Sequence, residues 1–313
     1  MKIIFLGTPD FAKNVLYKLI NSKHLVVAVV CQPDRPVGRK QILTPPPTKV
    51  LALENNIPVY QFEKIKKEGV EPLKSLNADI MVTSAYGQIL NQKLLDLTPY
   101  GVINVHGSLL PKYRGSSPVQ WALINGEQQT GVTIMKTDIG MDTGDMIEKA
   151  VVDIEDDDTV TSLLDKLSNK GGDLLLKVLD EIENGTAVFT KQNQDESSYY
   201  PMLDKEMAKI DFNKTAKEIC NFVRGLEEWP TAYCYLNNDV LKVYKASICE
   251  FSSQDNLEYT LGQIVECSPK KGLIIKAKDG YISLDMVKLG SGKLIDGKSL
   301  ANGHKNLKGN VLS

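Results

Sequence analysis

The sequence predicts an α/β protein: a doubly wound, mostly parallel sheet in an N-terminal domain, followed by a small C-terminal OB-like β-barrel. Three observations carry this expectation. In the first half, continuous apolar runs bounded by turns alternate with stretches of helical spacing, the pattern of parallel strands covered on both faces. Past residue 230 the pattern changes to short alternating runs at close spacing with turn signals between them, as in a small barrel. The 313 residues exceed one ordinary domain, and 42% hydrophobic content supplies a core for each of two. The expected division is a first domain over 1–185, a linker over 186–203 and a second domain over 204–313.

Taken in order, Lys2 to Leu6 is an apolar strand, Gly7-Thr8-Pro9-Asp10 a turn, and Phe11 to Ile20 a helix with Phe11, Val15, Leu16, Leu19 and Ile20 on one face. The turn GTPDFA has one glycine where a dinucleotide fingerprint needs three, so NAD binding is not expected. Leu25 to Cys31, Asp79 to Ser84 and Gly101 to Val105 read as further buried strands. Between the second strand and the next helix, Gln32 to Lys49 carries five prolines and the basic residues Arg35, Arg39, Lys40 and Lys49. Connections this long are uncommon unless they are functional or flexible insertions, and the basic side chains suit phosphates.

Beyond a strand at Val132 to Lys136, the acids Asp156-Asp157-Asp158 favour a helix start before a leucine-rich stretch. There Leu163, Leu164, Leu167, Leu174, Leu175, Val178 and Leu179 fall at helical spacing, with Gly171-Gly172 expected to kink the helix and Gly185 to end it. Thr186 to Leu203 is polar and without sustained periodicity, hence the linker. A short helix around Thr215 to Arg224 then leads into the runs TAYCYL, DVLKVYKASI, GQIVEC and GLIIKAKDGYISLDMV. No internal repeat is evident.

Composition excludes several classes. Five widely spaced cysteines match neither a disulfide framework nor a zinc site, so a reducing cytoplasm is the expected compartment. No presequence is expected before the first strand, and no apolar run is long enough to span a bilayer. A net charge of -2 argues against a generic nucleic-acid coat. The charge is uneven, however: residues 240–313 hold eleven lysines against seven acids, net +4, and the rest is net -6. That permits contact with a polyanion, although a solvated lysine-rich surface explains it equally well.

The chemistry concentrates in INVHGSLLPKYRGSSPVQ, from Ile103 to Gln120. Strand side chains alternate, so Asn104 and His106 share a face at a strand's carboxyl end, where open α/β sheets bind ligands. A single buried histidine is more often satisfied by backbone; two polar groups on one face before an unusual loop favour function. A carboxamide beside an imidazole suits acyl transfer, because the amide N–H stabilises an oxyanion while the imidazole moves protons. An orienting carboxylate belongs with them. Asp138, Asp142 and Asp145 in TGVTIMKTDIGMDTGDMI are candidates, each also a plausible turn residue, and spacing does not choose among them. Downstream, Ser117, Pro118 and Gly126 fit the cap, first position and end of a helix.

These segments together resemble the folate-dependent formyltransferases. The resemblance covers nearly the whole chain through FLGTPDFA, QPDRPVGRK, INVHGSLLPKYRG, GVTIMKTDIGMDTGDM and a C-terminal WPTA. HGSLLP with MDTGD is specific to the family, and FLGTPDF with QPDRP is similar to its branch that acts on initiator methionyl-tRNA. The resemblance implies Asn104, His106 and Asp142 as the catalytic trio. It implies folate contacts at Ser108, Leu109, Leu110 and Pro111, with a pterin pocket near Ala85, Tyr86 and Gly87. A tRNA-reading loop is implied over Gln32 to Lys49, through Arg35, Arg39 and Lys40; the glycine often found between arginine and lysine in the family is absent here.

The implied reaction moves a formyl group from 10-formyltetrahydrofolate, as co-substrate, to the α-amino group of methionine on initiator tRNA, at translation initiation in a bacterial cytoplasm. No metal, membrane or DNA partner is expected, and a monomer is the expected state. The nearest rival, a nucleotide-sugar formyltransferase, is disfavoured by QPDRPVGRK and MDTGD. A glycinamide ribonucleotide enzyme normally lacks the second domain, and a silent RNA-binding protein has no use for the intact trio.

Overall fold

A computed structural model describes residues 1–38, 40–252, 258–304 and 306–313. Contacts divide the chain into two compact units. The first comprises 1–118, 129–153 and 164–200, and the second 119–128, 154–163 and 201–313.

The first unit opens with β1 (Lys2–Gly7), α1 (Asp10–Ile20) and β2 (Leu25–Cys31). Their apolar runs are buried as expected: Ile3 to Leu6 in β1, and Ala12, Val15, Leu16 and Leu19 on the inner face of α1, are fully enclosed. The segment after β2 is more ordered than its prolines suggest. It folds back as a hairpin, β3 (Arg35–Val37) with β4 (Ile42–Thr44), and its last residues already belong to α2 (Pro47–Glu54). Proline lacks an N–H and has a fixed φ, which suits Pro47 to the first turn of that helix.

Then come β5 (Val59–Gln61), α3 (Ile65–Glu68), α4 (Val70–Lys74), β6 (Ile80–Ser84), α5 (Gln92–Leu95), β7 (Val102–His106) and β8 (Arg114–Gly115). After α6 (Pro118–Ile124), which apart from Pro118 belongs to the second unit, follow β9 (Gln129–Lys136), β10 (Met146–Asp153) and α7 (Val160–Glu183), whose residues up to Leu163 also belong to the second unit. The main sheet runs β10-β9-β7-β6-β1-β2-β5. Pairings among β5, β2, β1, β6 and β7 are parallel, and β9 and β10 join antiparallel at one edge. The doubly wound, mostly parallel expectation is thus met, with a two-strand antiparallel extension.

Helix α7 runs unbroken through Gly171-Gly172, where a kink was expected. The glycines are contact points instead: a Cβ on Gly171 would stand 2.9 Å from Val105 Cγ1 and 3.1 Å from Val132 Cγ1, and one on Gly172 2.7 Å from Lys18 Cγ. Missing side chains let the helix lie close to β7, β9 and α1. Leu167, Leu175, Val178 and Leu179 are fully buried along it, each such side chain contributing roughly 1.5–3 kcal/mol relative to exposure.

The expected linker also differs. Its residues as far as Tyr200 belong to the first unit. A 3-10 turn at Gln194–Glu196 precedes β11 (Tyr199–Tyr200), which pairs in parallel with β8. The segment lacks periodicity because its polar side chains bind loops rather than a sheet or helix face.

In the second unit, α8 (Ala216–Gly225) starts in a capping box, with Thr215 and Glu218 satisfying each other's backbone N–H. Then follow β12 (Tyr233–Leu236), β13 (Asp239–Cys249), β14 (Ile264–Ser268), β15 (Gly272–Lys276), β16 (Tyr281–Leu289), β17 (Ile295–Asp296) and α9 (Gly297–Gly303). The antiparallel sheet runs β12-β13-β16-β15-β14, with β17 on β16. Residues 309–313 bridge its two edges: Tyr235 and Ser313 exchange backbone hydrogen bonds of 2.7 and 3.1 Å, and Leu312 N donates to Gly262 O at 2.9 Å. The curled sheet is thereby drawn toward an OB-like barrel around Leu241, Val243, Leu273, Ile275 and Ile282.

Candidate active site

The site lies at the carboxyl ends of β6 and β7. Thr83 and Asn104 are paired in register, as are His106 and Thr133 of β9, so four polar side chains face one another across three strands. Thr83 Oγ1 donates to Asn104 Oδ1 at 2.9 Å. Asn104 is half-buried, and its Nδ2 makes no hydrogen bond among the described residues, which leaves an amide donor aimed away from the threonine.

His106 is buried. Its Nε2 lies 3.0 Å from Tyr113 O and, facing a carbonyl, is the donor there. Nδ1 is therefore the nitrogen left for proton traffic, and Asp142 Oδ1 stands 3.7 Å from it. The structure brings together Asn104, His106 and Asp142 out of the sequence candidates. Asp138 instead accepts from Thr143 Oγ1 and Gly140 N within its own turn. Asp142 Oδ2 accepts from Gly115 N at 2.9 Å, and the residue sits at φ +55, a left-handed conformation uncommon outside glycine.

The loop after His106 is pinned from three sides. Buried Thr133 donates from Oγ1 to Ser108 O at 2.7 Å and accepts from Leu110 N at 3.1 Å. Ser108 Oγ donates to Lys112 O at 2.8 Å, and Lys149 Nζ donates to Leu110 O. Burial holds the Lys149 pKa below its usual value, with the Glu196 charge opposing. Ser108, Leu110 and Pro111 are enclosed, and Leu109 is half-exposed.

On the neighbouring strand end, Ala85 and Gly87 are exposed at φ +44 and +88. The Tyr86 ring is buried in the core, which pushes its phenol pKa up, while its carbonyl accepts from Thr8 Oγ1 and Gln32 Nε2. What this turn presents is backbone. Exposed backbone, one apolar side chain at Leu109 and an unpaired amide donor at Asn104 are a fitting donor set for a flat heterocycle carrying a formyl group.

Of the basic residues in the hairpin, Arg35 is exposed and bonded to Glu63 at 2.7 Å, Lys40 is exposed, and Arg39 lies outside the described residues. Lys49 is tied to Asp34 and Gln61. Val37, Ile42 and Leu43 are exposed on the same hairpin. All five cysteines are free thiols. Burial pushes Cys31 up to about 11 and Cys220 and Cys234 up to about 12, so none of these three is a ready nucleophile. No helix among the described residues is long and apolar enough to cross a membrane.

Sequence reasoning missed the supports: Thr83, Thr133, Arg114, Gln192 and Ser198. A threonine in an otherwise apolar strand was a readable signal for the first two. Nothing in the polar run containing Gln192 and Ser198 marked either one.

The formyl transferase family model matches residues 1–179, and the formyl transferase C-terminal domain model matches 202–305. A methionyl-tRNA formyltransferase of Ruminiclostridium cellulolyticum is 44% identical over 306 residues, covering 97% of each chain. One from Acetivibrio thermocellus is 42% identical over 313 residues, all of this chain and 99% of that protein. Among solved structures, an N-formyltransferase from Helicobacter canadensis in complex with folinic acid and dTDP-3-aminofucose is 25% identical, with a TM-score of 0.65 over 90% of this chain and 98% of its own. The chain belongs to the formyl transferase family.

Proposed function

We propose that the chain transfers the formyl group of 10-formyltetrahydrofolate to the α-amino group of methionine on initiator tRNA. The observation that carries the reading is identity of 42–44% over essentially the full length to methionyl-tRNA formyltransferases, second unit included. The folate supplies the formyl group; this chain's residues orient it and handle charge and protons.

An α-amino group titrates near pH ~8 in peptides, and an adjacent ester lowers that value, so a useful fraction is neutral at pH 7. The amine needs positioning more than activation. As it meets the formyl carbon, charge grows on the formyl oxygen, and Asn104 Nδ2 is the donor that meets it. His106, with Nε2 committed to Tyr113 O, offers a second N–H from Nδ1 when protonated. Asp142 stabilises that imidazolium and accepts the proton leaving the amine, directly or through water; as the oxyanion collapses, the formyl carbon's bond to the folate N10 breaks and the departing nitrogen takes up that proton. Each such donor contributes roughly 3 kcal/mol in the transition state. Ser108 to Pro111 and Ala85 to Gly87 hold the pterin.

For the tRNA, the β3–β4 hairpin offers Arg35 and Lys40 to phosphates and exposed Val37, Ile42 and Leu43 to bases. Arg39 belongs to the same reading. The test is formyl transfer to Met-charged initiator tRNA beside a dTDP- or UDP-linked amino sugar and glycinamide ribonucleotide. Turnover on the tRNA alone is expected; turnover only on a small amine overturns the substrate, and none on any acceptor overturns the chemistry.

A further inference from the structure

We propose that Gln192, held by Arg114, is a positioning residue that fixes the Asp142 carboxylate opposite His106. The inference rests on the reaction proposed above and adds residues from a stretch that resembles a linker in sequence.

Gln192 is only 7% exposed, and its amide is used at both ends. Nε2 donates to Asp142 O and to Gly144 O, each at 2.8 Å. Oε1 accepts from Arg114 Nε at 3.0 Å and Nη2 at 2.8 Å, and Arg114 Nη1 reaches Gln194 Oε1 at 2.8 Å. Arg114 is itself 7% exposed, so its planar fork is a buried anchor. The turn held this way contains Asp142 in its left-handed conformation at φ +55. Aspartate enters this conformation more readily than most residues, and fixed contacts are what hold it there. Gln192 supplies such contacts through its side-chain amide, which holds the main-chain carbonyls of Asp142 and Gly144, while Gly115 N–H holds the carboxylate itself at 2.9 Å.

The same segment fixes the other side of the pair. Tyr113, at φ +59, donates from its N to Ser198 Oγ at 2.9 Å and stacks on Tyr200 with ring centroids 4.8 Å apart. Its carbonyl is the acceptor for His106 Nε2. Residues 192–200 therefore set both the tilt of the imidazole and the approach of the carboxylate. Misplacing a catalytic group by an ångström costs up to about 100-fold in rate, so a support of this kind is visible in turnover rather than in substrate binding.

Gln192→Glu tests this. It keeps an oxygen acceptor for Arg114 but sets carboxylate oxygen against the carbonyls of Asp142 and Gly144 in place of two N–H donors. The kcat for formyl transfer is expected to fall about 10- to 100-fold, with KM for both substrates within about twofold of wild type. In an Asp142→Ala background the same change is expected to cost less than about twofold, because it acts through a side chain already gone. Gln192→Met, of similar length and without hydrogen bonds, is expected to repeat the pattern should Gln192→Glu not fold.

Amide hydrogen exchange supplies a readout independent of turnover: the Gly115 N–H should lose protection in the variant. Wild-type kcat in both variants, or an equal loss with and without Asp142, overturns the inference. Should the wild-type protein fail to formylate tRNA, the reaction is what has failed, and unchanged Gly115 exchange in the variant would separately overturn the support role.

Discussion

Thr83 and Asn104 stand in register on neighbouring parallel strands, and the threonine hydroxyl donates to the asparagine Oδ1 at 2.9 Å. This one hydrogen bond decides which end of the carboxamide is free. With Oδ1 occupied, Nδ2 is the atom left for the developing negative charge of the proposed reaction. Thr83→Val keeps shape and burial but removes the hydroxyl, so the amide is free to turn. A fall in kcat of about 10-fold is expected with unchanged thermal stability to within about 1 kcal/mol; steady-state kinetics alongside thermal melts check it, and an unchanged kcat contradicts the orienting role.

Thr133 joins Ser108 O to Leu110 N, while Lys149 reaches Leu110 O from outside the turn. Replacing Thr133 by valine leaves two backbone groups of this loop unpaired in a buried place, at a cost of about 1–3 kcal/mol each. Because the proposed reaction seats the folate on this loop, KM for the formyl donor is expected to rise more than KM for the tRNA. Equal effects on both substrates would argue against that assignment.

Gly115 has φ +111, and a Cβ there would fall 2.2 Å from Tyr200 O. Gly115→Ala must therefore both adopt an unfavourable backbone and push β11 away from β8. A loss of about 2–4 kcal/mol is expected in chemical denaturation, together with lower kcat, since Gly115 N–H also holds Asp142. Wild-type stability in this variant would show that the β8–β11 pairing is not tight in solution.

His24 carries a prediction about pH. Burial first, and the Met1 ammonium second, hold its pKa below the ordinary 6.5, with Asp180 opposing. Above pH 6.5 the ring is neutral folded or unfolded, and nothing is lost. Below it the unfolded chain takes up a proton that the folded chain refuses, so stability falls until the pH passes the lowered folded value. The slope reaches at most about 1.4 kcal/mol per pH unit. Denaturation midpoints at pH 7.5 and 5.5 should separate less in His24→Gln than in wild type; an equal separation places the acid sensitivity elsewhere.

Much of the fold was legible because burial writes itself into periodicity. Phe11 to Ile20 and Leu25 to Cys31 needed only spacing and apolar runs to be read. Asn104 and His106 were legible as a pair for the same reason, since strand alternation puts them on one face. Asp142 was not separable from Asp138 and Asp145 by spacing, and resemblance chose it; the structure places its Oδ1 3.7 Å from His106 Nδ1. Gly171-Gly172 was misread because a glycine needed for close packing and one that breaks a helix look alike in sequence. Residues 186–200 were misread for a deeper reason. Gln192 and Ser198 satisfy backbone groups of distant loops, and such bonds leave no periodic trace in the chain that makes them.

The most direct test of the trio is a single-turnover rate with Met-charged initiator tRNA and 10-formyltetrahydrofolate pre-bound, comparing wild type with Asn104→Ala. Loss of one oxyanion donor predicts a rate lower by about 10²- to 10³-fold at unchanged tRNA affinity. A rate within a few-fold of wild type would mean that the Asn104 amide does not meet the developing charge, and the site would have to be sought elsewhere on the sheet edge.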